Sequence, residues 1–200
     1  MLLSLITSLR MFVPALGCLS MLALAGCGGS STSSPIGGGG ISGSGSGGSG
    51  SFTANFSAIS GTNAFTSDFS SSNVGGSVTP PIDPIGSVLT LTAAAAASNN
   101  IGRSFTLVLT DTTLTEGQVY PLDNGSNSLV YADTPDAGSR DFKTTRTWSS
   151  TGGSVTLDSI NGKTYKFHVT GALMGPSTGG PTTPGTGTFT VNGSGTASLS

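Results

Sequence analysis

The stretch "GSVTLDSINGKTYKFHVTG", Gly153–Gly171, decides the fold. Val155 and Leu157 alternate with Thr156 and Asp158, and Asn161-Gly162 follows. Alternation of apolar and polar residues at a period of two marks a half-buried strand. Asn-Gly between two such runs is the signal of a type I′ hairpin turn, because both residues tolerate positive φ. The return strand then presents Tyr165, Phe167 and Val169 to a core, and Lys166, His168 and Thr170 to solvent.

The same period extends in both directions from this hairpin. "SFTANFSA" places Phe52, Ala54, Phe56 and Ala58 on one face, "VLTLTA" places Leu89, Leu91 and Ala93, and "SFTLVLT" places Phe105, Leu107 and Leu109. Further strands are expected over Gln118–Leu122, Ser128–Ala132, Phe142–Trp148 and Thr188–Asn192. The Ala93–Ala97 run continues a strand pattern and reads as a strand end entering the turn Ser98-Asn99-Asn100. Two proline-rich stretches, Ser70–Gly86 with "TPPIDP" and Leu173–Gly187 with "MGPSTGGPTTPG", read as surface connections, since proline cannot donate to a central ladder. Short strands at close spacing without an amphipathic helix predict an all-β domain over 51–200, an antiparallel β-sandwich with a β-barrel as the alternative.

Composition narrows the function classes. Only 8% of the 200 residues are charged, against about 25% in an ordinary soluble domain. Seven Lys and Arg in a chain of net charge −2 leave no basic patch to neutralise phosphates, which argues against nucleic acid as a partner. Cys18 and Cys27 both lie near the N-terminus and cannot staple the later strands.

Residues 1–26 are apolar apart from Arg10 and a few hydroxyls. The cleanest run, Met11–Gly26, is interrupted by Pro14 and falls short of the roughly 20 residues of a membrane span, so it reads as the apolar region of a signal peptide. Translation from Met1 gives an unusually apolar start, and from Met11 it would discard Arg10; both starts stay open. Residues 27–50 are nearly all Gly and Ser and read as a disordered linker, with a reach of roughly 25–30 Å. Within it, Gly43-Ser44-Gly45-Ser46-Gly47-Gly48 satisfies the dinucleotide pattern G-x-G-x-x-G, but that pattern needs a strand before it and a helix after it.

Leu24-Ala25-Gly26-Cys27 resembles the lipobox of bacterial lipoproteins: an apolar residue, two small residues and the cysteine that receives the lipid. The resemblance implies cleavage before Cys27, a thioether from its sulfur to diacylglycerol, and acylation (palmitate or a similar chain) of the freed amine. It implies a membrane partner held through Cys27 and a cell-envelope location. Gly28, where some inner-membrane lipoproteins carry Asp, points to the outer membrane. The domain that follows resembles a group of small envelope lipoproteins through Phe52–Phe56, Leu89–Ala94, Gly117–Leu122 ("GQVYPL"), Gly153–Leu157 ("GSVTL") and Gly187–Val191 ("GTFTV"). That resemblance implies a β-sandwich and no particular activity.

Chemistry-bearing residues are few. His168 is the one histidine; alternation sets it on the solvent face, with no carboxylate placed beside it by local sequence. A Ser-His-Asp hydrolase would have to use it, and no serine stands on a nucleophile elbow, so catalysis ranks behind binding. One histidine and a lipidated cysteine cannot close a zinc site, and no cofactor is expected. Asp133, Asp136 and Asp141 share the segment "YADTPDAGSRD" and are weak calcium candidates, since hard cations take oxygen ligands. Trp148, Tyr131 and Tyr120 are candidates for a ligand-binding platform, with Arg146 wetting the face that Trp148 shares with Phe142 and Thr144. The expectation is an envelope lipoprotein with a non-catalytic binding or structural domain and an envelope protein or glycan as partner. The alternative is a carbohydrate-binding module of a glycan-handling assembly, which an exposed Trp148 would favour.

Overall fold

The computed structural model describes residues 49–61, 68–82, 86–96, 102–123, 125–134, 145–177 and 182–199. These form an all-β structure whose strands are β1 (Ser49–Ser57), β2 (Phe69–Ser71), β3 (Val74–Ile82), β4 (Gly86–Ala96), β5 (Gly102–Asp111), β6 (Val119–Pro121), β7 (Ser128–Thr134), β8 (Arg146–Asn161), β9 (Thr164–Pro176), β10 (Thr183–Pro184) and β11 (Phe189–Ser198). The hydrogen-bonded order is β2-β1-β11-β9-β8-β7-β5-β4-β3, with β6 and β10 attached to β8. All pairings are antiparallel except β10 with β8. The sheet curls until its two edges approach, giving a barrel with one unsealed seam. Of the two expected all-β arrangements, the barrel describes this single continuous path.

The chain itself carries the closure. β2 pairs with β1, β3 pairs with β4, and only Ser72 and Asn73 separate β2 from β3. The Ser71 hydroxyl donates to the Ala94 carbonyl at 2.6 Å, and the Ala94 N–H donates to the Asn73 carbonyl at 3.3 Å. These bonds knit the corner where the chain passes from one edge of the sheet to the other.

Both proline-rich stretches depart from the expectation of plain connections. "TPPIDP" begins inside β3, an edge strand, where Pro80 and Pro81 coincide with a register shift between Thr79 and Ile82. Proline is tolerated there because one side of an edge strand needs no ladder donor. In the other stretch β9 runs on to Pro176, and Thr183-Pro184 adds the short parallel strand against Arg146-Thr147. Of the strand expected over Phe142–Trp148, β8 takes up Arg146–Trp148, and Phe142 lies outside the described residues.

The central hairpin is correct in its faces and shifted in its turn. Asn161 pairs with Thr164, so the two-residue loop is Gly162-Lys163 rather than Asn161-Gly162. Gly162 has φ +56° and Lys163 does not have positive φ, the type II′ pattern with glycine first. A second phase change falls at Gly171, φ +58°, where β9 carries an extra residue relative to β11. Through it Val169 and Ala172, three apart instead of two, both face the core.

Side chains fill the interior. Phe105, Tyr131 and Trp148 form one cross-strand row over β5, β7 and β8, and all three are buried. Phe52, Phe69 and Phe189 complete an aromatic cluster with ring centroids 4.9–5.9 Å apart, mostly in the tilted and edge-on arrangements that ring quadrupoles favour. Gly195 stands between Phe52 and Phe167 in register, and those rings stack at 5.6 Å across it. A Cβ on Gly195 would meet the Phe167 ring at 2.6 Å, so the glycine makes room for the pair. A void among Phe52, Phe105 and Phe167 is about 10 Å³, about the room one water needs. Outward positions instead carry hydroxyls, as in Thr190, Ser194 and Thr196 on β11. That polarity is the reverse of a lipid-facing barrel, which is apolar outside.

Candidate functional site

The aromatics expected to form a ligand platform are core residues. Trp148 and Tyr131 are 0% exposed and Tyr120 is 2% exposed. The physical reason is area: in a barrel with a filled interior, the largest rings gain most by leaving water. The segment around β10 seals Trp148, whose indole N–H donates to the Thr186 carbonyl at 3.4 Å. Gly185 lies so close that a Cβ there would sit 2.0 Å from the indole. Arg146 does share the face of Trp148, with its guanidinium 5.9 Å from the ring centre. That face is the inner one, so no sugar platform arises from these three rings.

Burial also sets their acidity. The Tyr131 hydroxyl titrates well above the usual phenol range, chiefly because it is buried; Arg103 and Arg146 pull it back and Asp133 pushes it further up. Tyr120 is raised by burial, partly offset by the Thr115 N–H that donates to its oxygen at 3.0 Å, with Asp111 adding to the rise. Both are neutral phenols at physiological pH and neither is poised to take up a proton.

Asp133, one of the calcium candidates, is committed to a structural contact. It is 0% exposed and receives both a 2.7 Å bond to each oxygen from Arg146 Nη2 and a 3.3 Å bond from Nε. The register places Arg103, Asp133 and Arg146 side by side on β5, β7 and β8, one step along from the Phe105–Tyr131–Trp148 row. Arg103 donates to the Asp68 carbonyl at 3.0 Å and lies 5.7 Å from the Phe69 ring centre. This polar layer caps one end of the aromatic core. Among the described residues no group of His, Cys, Asp and Glu is arranged to hold a metal ion. Asp136, Asp141 and the expected lipidation site Cys27 lie outside the described residues.

The arrangement that sequence reasoning missed is on the opposite, outward face. His168 was expected to stand without a carboxylate; its Nδ1 is 2.6 Å from Asp158 Oδ1. Thr156 pairs with His168, so Asp158, two residues on along the same outward face, is the diagonal neighbour of the imidazole. A bulge follows directly: Leu157 pairs with Phe167 and Ser159 with Lys166, which leaves Asp158 without a direct partner on β9. The signal was the alternation itself, which sets Thr156 and Asp158 on the face that Lys166 and His168 share.

Beside Asp158 the outward face forms an open groove of about 320 Å³, bordered by Ser51 and Thr53 of β1, Ser194, Gly195 and Thr196 of β11, Lys166 and Phe167 of β9 and Asp158 of β8. Ser194 is the register partner of both His168 and Thr53, and Thr196 of both Lys166 and Ser51, so the hydroxyls line up in rows across the strands. Compared with protein-family models, with curated proteins and with solved structures, the chain finds no match.

Proposed function

We propose that this chain is an envelope lipoprotein, anchored through lipid on Cys27, whose β domain has a non-catalytic binding or structural role. The observation that carries the reading is Leu24-Ala25-Gly26-Cys27 at the end of an apolar run, followed by a Gly/Ser tract that leads into the first strand. A single acyl chain holds a protein only marginally, at about 0.8 kcal/mol per buried methylene, so stable anchoring calls for the two or three chains that a lipobox cysteine receives. The packed interior supports a role for the outer surface, since the aromatic and aliphatic side chains of the described strands fill it. Outward hydroxyl rows support a domain that works in water rather than in lipid.

Intact mass of the membrane-fraction protein, wild type against Cys27→Ser, tests the anchor. The expected result is loss of residues 1–26 with added diacylglyceryl and acyl mass in the wild type, and no lipid mass in the variant. An unlipidated wild-type protein overturns the reading.

A further inference from the structure

We infer that the outward groove across β1, β11, β9 and β8 is a shallow binding site for a neutral saccharide. The inference deepens the binding role proposed above and does not depend on the lipid anchor. Three features of the groove point the same way. First, its polar side chains have capacity to spare. The side chains of Ser51, Thr53, Lys166, Ser194 and Thr196 make no hydrogen bond or ion pair among the described residues, and Asp158 Oδ2 has no partner there either. Second, Asp158 is held in place. Its other oxygen takes His168 Nδ1, and the paired residues on either side, Leu157 and Ser159, hold the backbone that carries it. A carboxylate oriented by a neighbour offers its free oxygen at lower entropic cost than a loose one.

Third, the mixture of groups selects the ligand chemistry. Asp158 and Lys166 cancel in charge, so a compact anion meets the carboxylate and a compact cation meets the ammonium. Four hydroxyls both donate and accept. The complement of such a surface is a net-neutral molecule bearing many groups that also donate and accept, which describes the hydroxyls of a sugar ring. The groove volume of about 320 Å³ lies at the low end of the roughly 300–1,000 Å³ of small-molecule sites. Because it is open, and because Phe167 at its border is buried in the core rather than presented as a platform, affinity for one sugar unit is expected near about 1 mM.

The test is a titration of the full-length chain in detergent, observed by backbone amide and imidazole resonances. Free glucose, galactose, mannose and N-acetylglucosamine serve as probes. The expected result is saturable shifts at Thr53, Lys166, His168, Ser194 and Thr196 with at least one of these sugars. Asp158→Asn and Lys166→Met should each weaken that affinity roughly tenfold, the scale of a hydrogen bond to a charged group. Thr196→Val keeps the β-branched shape of its strand position and should weaken it while leaving the fold intact. Leu173→Ser, outside the groove, should not change it. Absence of saturable shifts with all four sugars, shifts centred elsewhere, or affinity unchanged in the groove variants would overturn the assignment. None of those results touches the anchor, which the mass of Cys27 decides separately.

Discussion

Strand β8 contributes one member to each of two contacts between a carboxylate and a nitrogen side chain, Arg146 at its start and Asp158 near its end. Asp133 and Arg146 meet on the inner face, with side-chain exposures of 0% and 22%. Asp158 and His168 meet on the outer face, at 43% and 42%. The first contact has several hydrogen bonds and an aromatic core beneath it. Desolvating the Asp133 carboxylate costs several kcal/mol, which only a close guanidinium can offset. The second contact sits in water, where screening leaves little net stabilisation. Equal chemistry therefore serves different ends: the inner pair holds the end of the barrel together, and the outer pair orients a carboxylate at little cost to the fold.

Removing the inner carboxylate is the strongest way to break this comparison. Asp133→Ala leaves Arg146 without its carboxylate partner and should cost about 3–5 kcal/mol of stability, read from the urea midpoint at unchanged m-value. Replacing the pair together, Asp133→Leu with Arg146→Met, should recover most of that loss, because apolar packing of similar volume substitutes for a buried pair. A loss below about 1 kcal/mol for the single variant would place the inner contact in the same class as the outer one.

An intermediate effect is expected at alkaline pH. The folded-state pKa of Tyr131 lies above the value of about 10 that it takes in the unfolded chain. The folded state therefore keeps a proton that the unfolded state gives up. This contribution is fully present below about pH 10 and is lost as pH rises through the folded value. Urea midpoints should be flat up to about pH 10 and then fall. In Tyr131→Phe the alkaline fall should be shallower, though not absent, because burial raises Tyr120 and Tyr165 in the same direction. An identical fall in both proteins would mean that the inner layer does not hold the phenol in its neutral form.

The inner region was the more legible of the two in the sequence. Phe105, Leu107 and Leu109, or Tyr165, Phe167 and Val169, announce their face by period two, and the structure buries every one of them. Local periodicity suffices because a barrel wall has an inside for each strand. Closure itself was not legible: β3 carries two prolines, and only its place at an edge makes them acceptable. The aromatics misled because a lone Trp and two Tyr can serve either a platform or a core, and the choice depends on which face Arg146 shares. The outer groove was illegible for a different reason. It is assembled from four strands, and the Asp158–His168 contact beside it is a diagonal one that depends on the register of β8 with β9, which neither strand shows alone.

The smallest expected effect on stability falls on that contact. Asp158→Asn keeps the size of the side chain and its ability to accept a hydrogen bond from His168. It removes only a charge that is already half in water. The change should therefore be below about 1 kcal/mol, within the range of exposed ion pairs, and should shrink further at high salt. The bulge should survive, because the pairings on either side of it, Leu157 with Phe167 and Ser159 with Lys166, do not involve the carboxylate. Urea midpoints at low and at high salt check both points. A loss of several kcal/mol would make Asp158 a structural residue like Asp133, and weakened sugar binding in the variant would then reflect a damaged fold. A near-neutral result keeps fold and groove separable, so that any change in ligand affinity on the outer face can be assigned to the carboxylate itself.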